Sequence, residues 1–305
     1  MFGLYTHQVS IWIIWMKNIL DKKYDCAFYP LFLKGFKNKQ PMKKNIILTA
    51  SALLLFFTSC KEKKEKQEEI AEMETKIEAE APAAAKIIPI EHATAVIEWG
   101  GNTIYIDPVG GKAAFEEQNS PDMIFITDVH GDHFNPETLN ELDLEGVQII
   151  APDAVKLQME ENLSSKTTTI KNGETKEMAG FTVKAIPMYN LREEAKDFHV
   201  KGRGNGYVFT FGDERIYFSG DTEDIPEMRA LENIDKAFVC MNLPYTMTVE
   251  SAADAVLEFK PKQVYPYHFR GRPEVSDVEK FKTIVNQGDS NIEVVQLDWY
   301  PNEDY

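Results

Sequence analysis

The sequence predicts an α+β domain in which two β-sheets pack face to face with helices on their outer sides. Ten short apolar or alternating stretches read as strands and fall into two groups of five. Helical patterns separate or follow them, and no short-period repeat breaks the chain into units. An apolar fraction of 43% in 305 residues is enough for a sizeable single core.

The folded body is expected from about residue 87 to 305. The first strand group is "TAVIEW" (94–99), "TIYID" (103–107), "MIFIT" (123–127), "VQIIA" (147–151) and "FTVKAI" (181–186). Helical stretches begin at Pro136 and Asp153. The second group is "YVFTF" (207–211) and "RIYFS" (215–219) around the turn "GDE", then "KAFVCM" (236–241), "QVYPY" (263–267) and "IEVVQL" (292–297). Helical patterns near 223–232, 249–260 and 275–286 interleave with these.

Upstream of the body the chain reads differently. "MKKNIILTASALLLFFTSC", Met42 to Cys60, has two lysines, an apolar run too short to span a bilayer comfortably, then small residues and a cysteine. That order fits a signal peptide, and "FTSC" resembles a bacterial lipobox, which implies a lipid on Cys60 and attachment to the cell membrane or outer membrane. Residues 1–41 are either a mis-assigned start ahead of Met42 or an apolar extension, and contribute nothing to the fold. "KEKKEKQEEIAEMETKIEAE", Lys61 to Glu80, holds five Lys and eight Glu with almost nothing to bury, so residues 61–86 are expected to be a solvated tether.

Charge and cysteines exclude several functions. The formal net charge is −16; residues 1–59 carry eight Lys and two Asp, +6, which leaves −22 for the remainder. So acidic a body repels a phosphate backbone, and no basic stripe follows, so nucleic acid is excluded as a partner. Cys26 and Cys60 precede the body, leaving Cys240 in the apolar "AFVCM", so neither an internal disulfide nor a cysteine zinc cluster is expected there. "GRGNG" (202–206) leads from no strand into a helix, "GGK" (110–112) is no Walker loop, and no G-x-S-x-G marks a serine hydrolase.

"FITDVHGDHF" (125–134) packs two histidines and two aspartates behind an apolar strand. Asp128, His130, Asp132 and His133 then converge only if the strand stops and the chain turns, the place where α/β sheets hold ligands. Carboxylate oxygen and neutral imidazole nitrogen are donors that zinc and similar divalent ions bind at about 2 Å. "IYFSGDT" is a second apolar strand ending abruptly, at Asp221, and "VYPYHF" a third, ending in His268. Each strand end alone is a weak signal; the three in this order are together a strong one.

This order resembles the signature of the metallo-β-lactamase superfamily, H-x-H-x-D-H, then a His, then an Asp after a strand, then a last His. The resemblance spans about residues 87–300 and implies a four-layer αββα sandwich with its metals at one edge of the sheets. "EHATAVIEWGGNTIYIDPVGG" and "YTMTVESAADAVLEFKPKQVYPYHF" resemble the branch containing ascorbate-phosphate lactonases, which implies that His92 and Asp107 lie close behind the ligands. The implied second-position ligands Asp132, His133, Asp221 and His268 are all present. At the first position, held by Asp128 and His130, two places depart: Asp128 replaces the first histidine, and the third-histidine place falls on Asn190. His199, shortly after, is read as completing that position, contacting substrate or lying on the surface.

The implied activity is that of a hydrolase using a metal-bound hydroxide to cut an ester, lactone or phosphodiester bond in a small molecule, with Asp132 and His199 as catalytic candidates. The implied cofactor is Zn²⁺, one or two ions; the oxygen-richer first position tilts toward Mn²⁺ or Fe²⁺ or is left partly empty. Only 84 residues follow Asp221, too few for the inserted domain of the RNA-processing members. The alternative is a lipid-anchored binding protein that kept the fold without turnover.

Overall fold

A computed structural model describes residues 84–301. The signal-like segment, Cys60 and the tether as far as residue 83 lie outside the described residues. Two mixed sheets form. The first runs β1 (Lys86–Glu91), β2 (Thr94–Trp99), β3 (Asn102–Ile106), β4 (Met123–Phe125), β5 (Gln148–Ala151), β6 (Thr167–Thr169) in that spatial order. The second runs from β7 (Thr175–Met178) through β8 (Phe181–Met188), β9 (Gly204–Phe211), β10 (Glu214–Phe218), β11 (Lys236–Val239) and β12 (Gln263–Pro266) to β13 (Glu293–Val294).

Each sheet begins with antiparallel hairpin neighbours and ends with parallel strands: β3 to β6 in the first, β10 to β13 in the second. Parallel strands point their carboxyl ends the same way, so the residues after β3 and β4, and those after β10 and β12, gather at two facing sheet edges. The inner parallel strands are largely apolar on both faces, as burial on both sides requires. Ile104, Ile106 and Phe125 face the second sheet. Their neighbours Tyr105, Ile124 and Ile126 join Leu139, Val155 and Leu163 on the short helices α1 (Pro136–Glu141), α2 (Asp153–Lys156) and α3 (Glu161–Ser164).

Across the second sheet Phe209 meets Phe125 with ring centroids 4.8 Å apart. Tyr217, one residue away from the inward Phe218, turns outward onto Phe259 of α5 (Val249–Phe259), beside which α6 (Val278–Gly288) buries Phe281 and Val285. The order is helix, sheet, sheet, helix, as expected; a small α4 (Pro226–Arg229) completes the set. On the inner face Phe218, Phe238 and Tyr265 stand opposite one another on β10, β11 and β12, their rings stacked at 4.3 and 4.6 Å. Such pairs add about 0.5–1.5 kcal/mol each beyond burial. They also fix register, since a one-residue slip would turn the row outward.

Differences from expectation have physical causes. β6 ("TTT") and β7 ("TKEM") are short polar edge strands without an apolar signal, and β1 contains a proline, which argues against a strand unless it lies at an edge. β13 is much shorter than 292–297. The ladder proceeds from Glu293 N–H on Lys262 O to Val295 N–H on Val264 O, and the next donor would be residue 266, a proline without an N–H. α6 starts later than its sequence pattern because Asp277 caps it, accepting from Lys280 N–H at 2.8 Å.

Candidate metal centre

Carboxyl-side strand ends build the site. After β4 the chain makes a tight loop closed by His133 and Phe134 N–H on the His130 carbonyl (3.0 and 2.8 Å), which turns Asp128, His130, Asp132 and His133 toward one side. After β10, Gly220 (φ 61°) carries the chain to Asp221; a Cβ there would lie 2.7 Å from the Met188 sulfur. After β12 comes His268, with φ 48°, and His92 and Asp107 also hold positive φ (56° and 45°). Three non-glycine residues in the left-handed region around one site indicate backbone strain held for function.

The four residues expected at the second position converge. His133 Nε2 and His268 Nε2 are 3.1 Å apart. The nearest Asp221 oxygens lie 3.4 Å from the first and 3.3 Å from the second, and those of Asp132 at 3.9 and 3.4 Å. Ligands bound tetrahedrally at about 2.05 Å stand about 3.3 Å from one another, so His133, Asp221 and His268 are spaced for one small divalent ion, with Asp132 close to His268 and farther from His133. Asp221 Oδ1 is buried without a hydrogen-bond partner, as are both ring nitrogens of His199, although His199 Nε2 is 3.1 Å from Asp221 Oδ2. Asp221 Oδ1 and His199 Nε2 are thus buried polar atoms left open beside the cluster, and the donor set fits a metal.

His133 is held from behind. Its Nδ1 lies 2.8 Å from Asp107 Oδ2 and 2.9 Å from Thr127 Oγ1, while Thr127 donates its hydroxyl (2.6 Å) and backbone N–H (2.7 Å) to Asp107. With Nδ1–H donated to a carboxylate, Nε2 is the bare nitrogen presented to an ion. His92 is braced likewise, its Nδ1 2.8 Å from the Tyr300 hydroxyl. Its Nε2 comes to 3.5 Å from Asp132, so His92 stands at the site itself and forms a third ligand-like group with Asp132 and His268.

Burial alone would raise the carboxyl pKa of Asp132 and Asp221, but the facing histidines hold both below the usual carboxylate range. Burial favours a neutral His133, yet Asp221, Asp107 and Asp132 lift it well above its ordinary value. Burial pushes the Asp107 carboxyl up, against the pull of His133 and Thr127, so the charges around His133 are closely coupled. Burial and His268 push His92 down to about 4.

The first position is built differently. Asp128, His130 and His199 lie within ligand reach of one another. Both Asp128 oxygens, however, take hydrogen bonds from Arg203, Nε to Oδ1 at 3.1 Å and Nη2 to Oδ2 at 2.9 Å, and His130 Nδ1 adds a third at 2.8 Å. Burial raises the Asp128 pKa, but His130, His133 and Arg203 outweigh it and bring the group down to about 2. His199 is buried, which removes the surface alternative, and its Nε2 lies 4.0 Å from Asp128, between the two positions. Asn190 gives both amide hydrogens to the Ala195 and Tyr245 carbonyls and braces the loop carrying His199. Arg203 was hidden in "GRGNG", where glycine content drew attention to a nucleotide loop; an arginine at the entry of an apolar strand was the available signal.

A cavity of about 530 Å³ opens over the site, with His130, Asp132, His199 and Asp221 on its floor. Phe198, Tyr245, Arg270 and Arg272 contribute to its walls. Facing sheet edges, a convergent His/Asp cluster and an adjoining cavity define a metallohydrolase. The sequence profile of the beta-lactamase superfamily domain matches residues 86–268, and the chain belongs to the metallo-β-lactamase superfamily. A UPF0173 metal-dependent hydrolase of Pyrococcus horikoshii is 30% identical over 210 residues, 66% of this chain and 92% of that protein. The crystal structure of a Parabacteroides distasonis protein, described as a candidate metal-dependent hydrolase, matches with 34% identity and a TM-score of 0.62, covering 71% of this chain and 94% of that one. Igni18, a metallo hydrolase from Ignicoccus hospitalis, shares the fold at 20% identity and a TM-score of 0.59, covering 70% and 94%.

Proposed function

We propose that this metal-dependent hydrolase cleaves an ester, lactone or phosphodiester bond in a small molecule seated over the Asp132–His133–Asp221–His268 cluster. The spacing of His133, Asp221 and His268, with Asp132 beside His268, carries the reading. Two imidazoles and one carboxylate at tetrahedral separations, with the second carboxylate beside His268, suit Zn²⁺ best. A divalent ion held there supplies Lewis-acid polarisation of the scissile bond's oxygen and lowers the pKa of water toward neutrality.

The protein's own groups do the rest. Asp132, partly open to the cavity and ionised, accepts a hydrogen bond from an attacking water and orients it. His199, on the same floor and free of hydrogen bonds, can take up or deliver a proton at Nε2. Arg270 and Arg272 favour a substrate bearing negative charge. The chain keeps all four second-position residues, Asp132, His133, Asp221 and His268, which weighs against a binding protein without turnover. The lipobox-like "FTSC" supports a lipid-anchored protein.

The test is hydrolysis of a panel of generic esters, lactones and phosphodiesters by metal-stripped protein reloaded with Zn²⁺, Mn²⁺ or Fe²⁺. Ion-dependent turnover of one class, abolished by Asp132→Ala, is expected. Inertness toward every class with every ion would favour the binding protein.

A further inference from the structure

Arg203 bears on how many ions the site takes. Its guanidinium meets Asp128 edge to edge, and Nη2 also lies 3.5 Å from His130 Nε2 and bonds to the Phe198 carbonyl. Nη2 therefore stands among the atoms that a first ion would need, Asp128 Oδ2 and His130 Nε2. The Asp128 side chain has no exposure to solvent, so the pair is desolvated on its carboxylate side.

The backbone holds this arrangement independently of the side chains. Asn205 N–H donates to the carbonyl of Thr127, the residue before Asp128, at 2.9 Å. Gly204 is packed so tightly that a Cβ would lie 2.5 Å from the Met188 methyl and 2.8 Å from the Thr127 oxygen. The entry of β9 is thus clamped against the end of β4, and Arg203 and Asp128 are delivered side by side.

Charge bookkeeping points the same way. Arg203 neutralises Asp128, while Asp132 and Asp221 together balance one dication. A second dication would sit beside a guanidinium, with Asp128 and His130 already bonded to each other and only the His199 ring without a hydrogen bond. Planar bidentate pairing to a carboxylate is the geometry arginine forms best.

We propose that Arg203 fills the first cation position of the superfamily's two-ion site, so that this hydrolase works with a single divalent ion, at the second position. The proposal rests on the function argued above. Asp128 and His130 are then positioning groups for the guanidinium, and the first position is a permanent organic cation.

The experiment is a Co²⁺ titration of the metal-stripped full-length protein, followed by ligand-field absorption, with bound metal counted by elemental analysis after gel filtration. Wild type is expected to saturate at one equivalent. Arg203→Ala, which frees both Asp128 oxygens, is expected to bind a second, weaker equivalent, and Arg203→Ala with Asp128→His to hold two. Two equivalents in wild type would overturn the proposal while leaving the hydrolase function standing, and need no folded variant. No ion in wild type would overturn both. One equivalent in a folded Arg203→Ala, with the same spectrum as wild type, would show that the guanidinium is not what keeps the second ion out.

Discussion

Asp107→Asn removes one oxygen and keeps the shape, and the consequence can be followed atom by atom. Asp107 is fully buried, taking the Thr127 N–H on Oδ1 and both the Thr127 hydroxyl and His133 Nδ1–H on Oδ2. An asparagine keeps the backbone bond through its carbonyl, which turns its NH₂ toward His133. His133 Nδ1 must then accept, the ring proton moves to Nε2, and the nitrogen aimed at the ion is capped. Loss of such an orienting partner costs about 10–100-fold in metal affinity, or roughly 1.4–2.7 kcal/mol. Competition against a chromophoric chelator measures it directly, with circular dichroism confirming the fold. A folded Asp107→Asn protein that binds Zn²⁺ within twofold of wild type would refute the tautomer assignment and the role of Asp107 with it.

Other perturbations test other parts. His133 has a folded pKa raised above its ordinary 6.5, so the stability it gives the metal-free chain is full below that value and lost as pH rises through the folded pKa. The melting temperature of metal-free protein should therefore fall from neutral to alkaline pH, metal affinity should rise over the same window, and bound Zn²⁺ should abolish the fall in melting temperature. Gly220→Ala places a Cβ at φ 61° against the Met188 sulfur and should cost about 2–4 kcal/mol in urea unfolding while loosening the ion held by Asp221; an unchanged midpoint would remove the strain argument. Arg272→Ala should raise KM severalfold for an anionic substrate with little change in kcat, and equal effects on a neutral analogue would count against charge recognition. Cys60→Ser should release the protein from membranes and block signal cleavage, and unchanged fractionation and mass would end the lipoprotein proposal.

The layered fold was legible because parallel strands buried on both faces announce themselves as apolar runs. "MIFI", "RIYF" and "KAFV" could be nothing else at that length. The cluster was legible because Asp128, His130, Asp132 and His133 follow such a run directly. Arg203 was not, since its partner lies 75 residues away and pairing across a fold leaves no periodicity. His92 was placed near the site but as a support; its approach to Asp132 depends on Tyr300, 208 residues downstream. The edge strands β6 and β7 escaped notice because polar threonines and charged residues at a sheet edge are chosen for solubility, not burial.

The bracing of His92 has a consequence for how the enzyme comes into being. His92 N–H donates to the Trp299 carbonyl at 3.0 Å, and the Tyr300 hydroxyl serves His92 Nδ1 together with the Phe269 and Arg270 N–H groups. During synthesis the loop after β4 is made early, yet His92 and the segment after His268 lack these supports until residue 300 has been added. The centre is therefore finished by one of the longest-range closures in the domain, a slow kind of step. A nascent chain holds most of its ligands in order well before it can hold all of them, and chains cut short before Trp299 should fold their sheets and still lack a settled His92.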